Sequence, residues 1–218
     1  MLAAILFDLD GTLVNTDPFH FQVWQEMLRE YGIEIDLNFY QTRISGRLNP
    51  LIVQDLLPHL SLEEGEKLAE DKEARFRKMA PLLKRMDGLD DILNWTDKQG
   101  LKRVLVTNAP RKNVEFMLSI LNLTDSFDKI ILGEEAKAAK PDPAPYQLAL
   151  NYLHIPPEKA IAFEDSGSGI RSAVGAGIRT IGIASTYAPE ILYQAGAWKV
   201  VRDFADSSLW DFLVMNAV

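Results

Sequence analysis

The chain contains no cysteine, which excludes disulfide bonds and thiolate metal sites and fits a reducing cytoplasm. No apolar run approaches the roughly 20 residues that a membrane span needs. The start lacks a cationic n-region, a long apolar h-region and a small-residue cleavage site. A soluble cytoplasmic protein with no membrane partner is therefore expected. A basic surface is also missing. The 23 Lys and Arg against 31 Asp and Glu give a formal net charge of −8, which argues against nucleic acid as a partner while allowing a locally cationic cleft. Neither an internal repeat nor a low-complexity tract occurs. What remains is an ordinary globular composition, 47% apolar and 25% charged over 218 residues, enough for one α/β domain with a modest insertion. A monomer or weak dimer is expected.

The chain is organised around its first apolar run, Ala3, Ala4, Ile5, Leu6 and Phe7, which leads into Asp8, Leu9, Asp10, Gly11 and Thr12. Such a run reads as a buried parallel strand whose carboxyl end turns polar. In open α/β sheets ligands bind beyond the carboxyl ends of the strands, and Asp8 and Asp10, two residues apart, would leave the strand toward one side. Like charges that close resist joint ionisation. One can stay an anionic nucleophile while the other is held partly protonated as an acid, or a cation can be supplied; both arrangements suit phosphoryl transfer. Two solvated aspartates at a strand end are the bland alternative. A calcium loop is not one, because Leu13, Val14 and Asn15 do not continue a run of oxygen ligands. The stretch FDLDGT resembles the signature of the haloacid dehalogenase superfamily of phosphohydrolases, with Asp8 at the family's nucleophile and Asp10 at its acid/base position.

A helix is expected over Phe19 to Tyr31, with Asp17 as N-cap, Pro18 in the first turn and Gly32 at the stop. His20, Trp24, Met27, Leu28 and Tyr31 share one face, so His20 reads first as a satisfied histidine beside a core aromatic. The segment from Asp36 to Phe76 is rich in Leu, Glu and Lys and reads as further helices. Together these form a helical insertion, with returns near Asn15 to Thr16 and near Met79 to Gly88. The expected division is an α/β core of residues 1–15 and 82–218 and a helical cap of residues 16–81. Within the cap, Ile44, Ser45, Gly46 and Arg47 set a guanidinium on a tight turn, where it could meet a phosphate or carboxylate at two points or simply face water. Lys72 lies in the run Glu70, Asp71, Lys72, Glu73, Arg75, Arg77, Lys78, most of which reads as a solvated helix face.

The core resumes with a helix over Leu89 to Lys98, a stop at Gly100, and a strand ending in Thr107 and Asn108. That end matches the family's second motif, and its hydroxyl and following amides could hold a phosphoryl oxygen without adding charge. A further helix runs through about Leu121, and a short strand spans Lys129 to Leu132. The stretch Lys137, Ala138, Ala139, Lys140, Pro141, Asp142, Pro143 resembles the third motif. Asp142 can cap the helix that opens at Pro143, whereas Lys140 could neutralise charge among Asp8, Asp10 and a phosphoryl group. Then Ala160 to Phe163 run into Glu164, Asp165, Ser166, Gly167, Ser168 and Gly169, matching the fourth motif, EDSxxG. Its glycine-rich turn is not a GxGxxG nucleotide loop. Strands near Thr180 to Ala184 and Lys199 to Val201, with a helix across Pro189 to Ala195, complete a parallel sheet with right-handed crossovers.

The resemblance spans the whole chain and implies a Rossmann-like parallel sheet core of the haloacid dehalogenase (HAD) type with an inserted α-helical cap. The insertion resembles the subgroup of β-phosphoglucomutase and the phosphoglycolate and deoxysugar-phosphate phosphatases. Membership of that subgroup would imply a Mg²⁺ cofactor held by Asp8, Asp165, the Asp10 carbonyl and Glu164, the last directly, through water or by orienting Lys140 instead. The substrate would be a small phosphorylated metabolite. Asp8 would attack phosphorus, Asp10 would protonate the leaving alcohol and then activate water, with Thr107 and Lys140 completing the catalytic set and Asn108 binding substrate. The cap would present Gly46, Arg47, Lys72 and His20 to the substrate. The mutase carries Val where this chain has Thr12, and its cap arginine lies farther past the loop glycine than Arg47 does. Lys72 and His20 do match mutase positions, so phosphatase leads and mutase stays open. A non-catalytic binding protein is disfavoured by the intact motif set. Dehalogenation is disfavoured because it needs no metal and has little use for Asp10.

Overall fold

The computed structural model describes residues 1–79 and 83–216. The chain divides into two compact units, Met1–Asn15 with Lys84–Val218, and Thr16–Leu83. The expected return at residues 81 and 82 lies outside the described residues.

The first unit is a six-stranded, all-parallel sheet of β1 (Ala4–Phe7), β2 (Lys102–Thr107), β3 (Lys129–Leu132), β4 (Ala160–Glu164), β5 (Arg179–Ile183) and β6 (Lys199–Val201). Its order is β3-β2-β1-β4-β5-β6. This is the doubly wound, Rossmann-like arrangement, in which the order reverses beside the first strand and opens a crevice there. The connections carry α5 (Leu89–Lys98), α6 (Arg111–Ile120), α7 (Ala144–Leu153), α8 (Gly167–Gly175) and α9 (Pro189–Gln194), and α10 (Ser207–Asn216) closes the chain. The last helix has no counterpart in the sequence reading.

Alternation along β1 sends Ala4 and Leu6 to one face and Ile5 and Phe7 to the other. On the first face they join Val104, Val106, Ala160 and Ala162, with Tyr146 and Ala149 of α7 and Ala173 of α8 packed over them. Small side chains on β4 and α8 let helix and sheet approach closely. On the second face Phe7 stacks on Phe163 with ring centroids 5.5 Å apart and meets the edges of Phe127 and Phe204, each at 6.0 Å. Register pairs Phe7 with Leu105 and with Phe163, so the residues after β1, β2 and β4 emerge side by side.

The second unit consists of α1 (Asp17–Glu30), α2 (Leu37–Arg43), α3 (Asn49–Leu56) and α4 (Leu62–Met79). Trp24, Leu28, Tyr40, Ile44, Ile52 and Val53 form its core. Two capping expectations change. Thr16, not Asp17, sits at the start of α1 and makes no side-chain cap; Asp17 is already helical and accepts from the Tyr40 hydroxyl at 2.6 Å. Likewise Pro143 occupies the cap position of α7, while the Asp142 carboxylate accepts from the Ala144 N–H at 2.9 Å. Among the described residues no helix is long and apolar enough to cross a membrane.

Phe7 is fully buried under three other rings. Phe7→Ala should lower unfolding free energy by about 3–5 kcal/mol, as cavity-forming aromatic truncations do, read from the shift of the urea unfolding midpoint.

Candidate active site

The strand β1 stops at Phe7, one residue short of Asp8, so simple strand alternation is not what positions Asp8 and Asp10. The Asp8 amide still donates to the Phe163 carbonyl at 3.0 Å, which seats Asp8 beside the end of β4. The chain then reverses tightly: Leu13 N–H donates to the Leu9 carbonyl and Gly11 N–H to the Val14 carbonyl, with Gly11 at φ +75°. A Cβ at Gly11 would lie 2.0 Å from Asp165 Oδ2. Glycine is thus required there twice, for its backbone and for the room it leaves to Asp165.

The Lys140 ammonium is the hub. Its Nζ donates to Asp8 Oδ1 at 2.7 Å, to the Val106 carbonyl at 2.7 Å and to Glu164 Oε1 at 2.6 Å. An ammonium has three N–H donors, and all are used. Asp8, Lys140, Glu164 and Asp165 are each no more than 7% exposed. Asn108 holds the lysine's backbone in place, its side-chain oxygen accepting from Lys140 N–H and its amide donating to the Lys140 carbonyl. The Thr107 hydroxyl oxygen accepts from Ala109 N–H at 3.0 Å, which leaves its proton to be donated elsewhere.

One ammonium stands among more carboxylates than it can neutralise. Burial pushes Asp8 up to about 8, with Glu164 and Asp10 adding to the rise and Lys140 opposing it. Lys140 is itself held up, because Asp8 and Glu164 outweigh the effect of burial on its charge. Asp8, Glu164 and Asp165 each offer an oxygen, all within 4.8 Å of one another. Glu164 Oε2 is buried with no hydrogen-bond partner, and a Cβ at Gly169 would lie 1.8 Å from it. An all-oxygen donor set, an orphaned carboxylate oxygen and surplus negative charge fit a hard divalent cation such as Mg²⁺.

Two features of this site escaped the sequence reading. The Tyr146 hydroxyl, fully buried on α7, donates to Glu164 Oε1 at 2.6 Å, and its ring faces Lys140 Nζ at 5.3 Å. Burial, then the Glu164 and Asp8 charges, raise its phenol well above the ordinary range, so it stays a donor. A buried tyrosine must find a polar partner, and that was the available signal. The other is Ser166, whose side chain caps α8 by accepting from Gly169 N–H at 3.0 Å.

The cap residues gather among themselves. Lys72 Nζ lies 2.8 Å from His20 Nδ1 and 2.8 Å from Glu73 Oε1, and Asn49 donates to the same Glu73 oxygen. His20 stacks on Phe76 at 4.1 Å. Lys72 and Glu73 are buried, not part of a solvated face. Arg47, exposed after Gly46, pairs with Asp55 at 2.9 Å and donates to the Arg43 carbonyl, so its guanidinium is engaged within the cap.

A cation-ready acidic cluster around a buried lysine, at the switch point of a doubly wound sheet, marks an α/β enzyme acting on anionic substrates. The sequence profile of haloacid dehalogenase-like hydrolases matches residues 5–183. The chain belongs to that family. It is 32% identical over 207 residues to a phosphorylated carbohydrates phosphatase of Thermotoga maritima, covering 92% of this chain and 94% of that one. The crystal structure of CbbY from Rhodobacter sphaeroides in complex with phosphate superposes with a TM-score of 0.80 at 29% identity, over 94% of this chain and 96% of the other. β-Phosphoglucomutase from Clostridium difficile gives a TM-score of 0.86 over 100% and 97% of the two chains; at 23% identity the likeness is one of fold.

Glu73 supplies a pH test of the cap. Burial alone would raise its carboxyl, but Lys72, then His20 and the hydrogen bonds from Lys72 and Asn49, hold it down at about 2. A carboxylate depressed from 4.5 contributes stability that is complete above 4.5 and lost as pH falls toward 2. Glu73→Gln should therefore cost about 3 kcal/mol at pH 7, since it strands a buried ammonium. The gap to wild type should narrow steadily as pH falls from 4.5 to about 2, as followed by denaturant unfolding across that range.

Proposed function

We propose that the protein is a Mg²⁺-dependent phosphatase that hydrolyses a small phosphorylated sugar through an aspartyl-phosphate intermediate. The observation that carries this reading is the buried cluster of Asp8, Glu164 and Asp165 around Lys140. In this reading Asp8, Asp165, Glu164 and the Asp10 carbonyl hold the ion. When bound, Mg²⁺ neutralises the carboxylates and the phosphoryl oxygens and keeps Asp8 anionic.

The remaining steps belong to the chain. Lys140 holds Asp8 Oδ1, so Asp8 attacks phosphorus through Oδ2 as the bond to the substrate oxygen breaks. Asp10 gives its proton to that departing alcohol oxygen. It then removes a proton from the water that attacks phosphorus, and phosphate leaves with Asp8 restored. Thr107 donates its hydroxyl proton to a phosphoryl oxygen, while Asn108 acts by clamping Lys140 as well as through its backbone. Lys72 and His20, with Gly46 and Arg47, read the rest of the substrate. The similarity to a phosphatase of phosphorylated carbohydrates supports a sugar phosphate as substrate class. Its setting in this reading is the reducing cytoplasm, as a monomer or weak dimer. A mutase draws its support from the Lys72–His20 pair, and following inorganic phosphate and sugar isomers together separates the two activities.

The roles of the two aspartates are tested by intact mass. With an aryl phosphate and Mg²⁺, Asp8→Asn should take up no phosphoryl group. Asp10→Asn should accumulate one, acid-stable and lost in hydroxylamine, because an aryloxide leaves without an acid while the second step lacks its base. On an alkyl phosphate Asp10→Asn should be slowed by roughly 10²–10⁴-fold. Phosphorylation of Asp8→Asn instead would reverse the assignment.

A further inference from the structure

The Tyr146 hydroxyl belongs to none of the four motifs, yet it touches the cluster on which the proposed function rests. Glu164 is fully buried, and the last torsion of a glutamate is broad and roughly two-fold, so the backbone alone does not decide which oxygen faces which neighbour. Here two donors from different parts of the chain meet on one oxygen. Lys140 Nζ and Tyr146 OH each stand 2.6 Å from Oε1. Their convergence fixes the carboxylate plane and saturates Oε1. Oε2 is left buried and without a partner, in the space that Gly169 vacates by having no side chain.

Lys140 could not set this torsion by itself. Its three protons are divided among Asp8, the Val106 carbonyl and Glu164, so its position is a compromise among three acceptors. Tyr146 has no such competition: its ring is packed among Ala4, Leu6, Val104 and Ala162 on one face of the sheet, which makes its hydroxyl a rigid donor. The geometry points to Tyr146 as a positioning residue for the metal site: by holding Glu164 Oε1 it presents Oε2 to the cation. This inference rests on the reading of the cluster as a Mg²⁺ site. Outer partners that orient metal ligands commonly govern affinity by about 10–100-fold.

The test is direct Mg²⁺ binding by isothermal titration calorimetry on wild type, Tyr146→Phe, Glu164→Gln and the double variant, alongside melting of each metal-free protein. Phenylalanine keeps the ring and removes only the donor. Tyr146→Phe should weaken Mg²⁺ binding about tenfold, and the same change made on Glu164→Gln should weaken it no further, because the tyrosine acts through that glutamate. A purely structural tyrosine would lower the melting temperature and leave the Mg²⁺ constant where it was. An unchanged constant in Tyr146→Phe, or a loss that adds in full on Glu164→Gln, overturns the inference while leaving the metal reading intact. Wild-type protein that takes up no Mg²⁺ overturns both. Should Tyr146→Phe melt too low to titrate, Tyr146→His, which restores a ring-borne donor, must bind Mg²⁺ more tightly than Tyr146→Leu for the inference to stand.

Discussion

The interaction on which the core depends is the Lys140 ammonium held among Asp8, Glu164 and the Val106 carbonyl. Those three acceptors belong to the ends of β1, β4 and β2, which are neighbours in the sheet. One side chain therefore ties together the carboxyl ends of the three central strands from a segment that is itself outside the sheet. Burying such a charge costs several kcal/mol unless every donor finds an acceptor, and here each does. The charge is satisfied, but the second oxygen of Glu164 is left buried with no hydrogen-bond partner. With Asp8 and Asp165 each bringing an oxygen near it, that oxygen completes a donor set that fits a hard cation.

The segment that carries Lys140 has no regular structure to hold it, so side chains do. Asn108 brackets the Lys140 peptide with two hydrogen bonds. Ser172 of α8 donates to the Asp142 carbonyl at 2.5 Å. Gly133 makes room for Asn108, whose Oδ1 a Cβ there would meet at 2.5 Å. The residue expected to bind substrate is thus also part of the scaffold. A polar residue at a strand end can be read from sequence as facing a ligand, but not as facing a neighbouring loop.

That difference describes what was legible. The strands β1 and β4 could be read because a short apolar run that ends abruptly in carboxylates suits a strand buried on both faces better than it suits a helix or a loop. Lys140 could be read because capping accounted for Asp142 and left the lysine without a local role. The first helix of the cap followed from its spacing and from Gly32 at its end, and the rest of the cap from a composition rich in Leu, Glu and Lys. Strand order, the Tyr146 contact with Glu164, and the close approach of Gly11 to Asp165 all join residues far apart in the chain, and a local pattern holds no trace of them. The misplaced caps at Asp17 and Asp142 have a related cause: each aspartate found another partner, the first the Tyr40 hydroxyl 23 residues on and the second the amide of Ala144 two residues on.

Lys72 and Glu73 show why a run of charges is a poor guide to solvation. The buried positions on α4 are Gly65, Ala69, Lys72, Glu73 and Phe76, which lie on one helical face at the spacing normally given to apolar residues. The charges next to them, Glu70 and Asp71, are exposed. The position on the face, not the charge density of the run, decided burial. Lys72 and Glu73 pair with one another, and each finds a further partner, His20 for the lysine and Asn49 for the glutamate. Both units of the chain thus bury a lysine against a carboxylate. Burial is common to them, and what distinguishes the core site is that three carboxylates, Asp8, Glu164 and Asp165, bring oxygens within 4.8 Å of one another around the lysine.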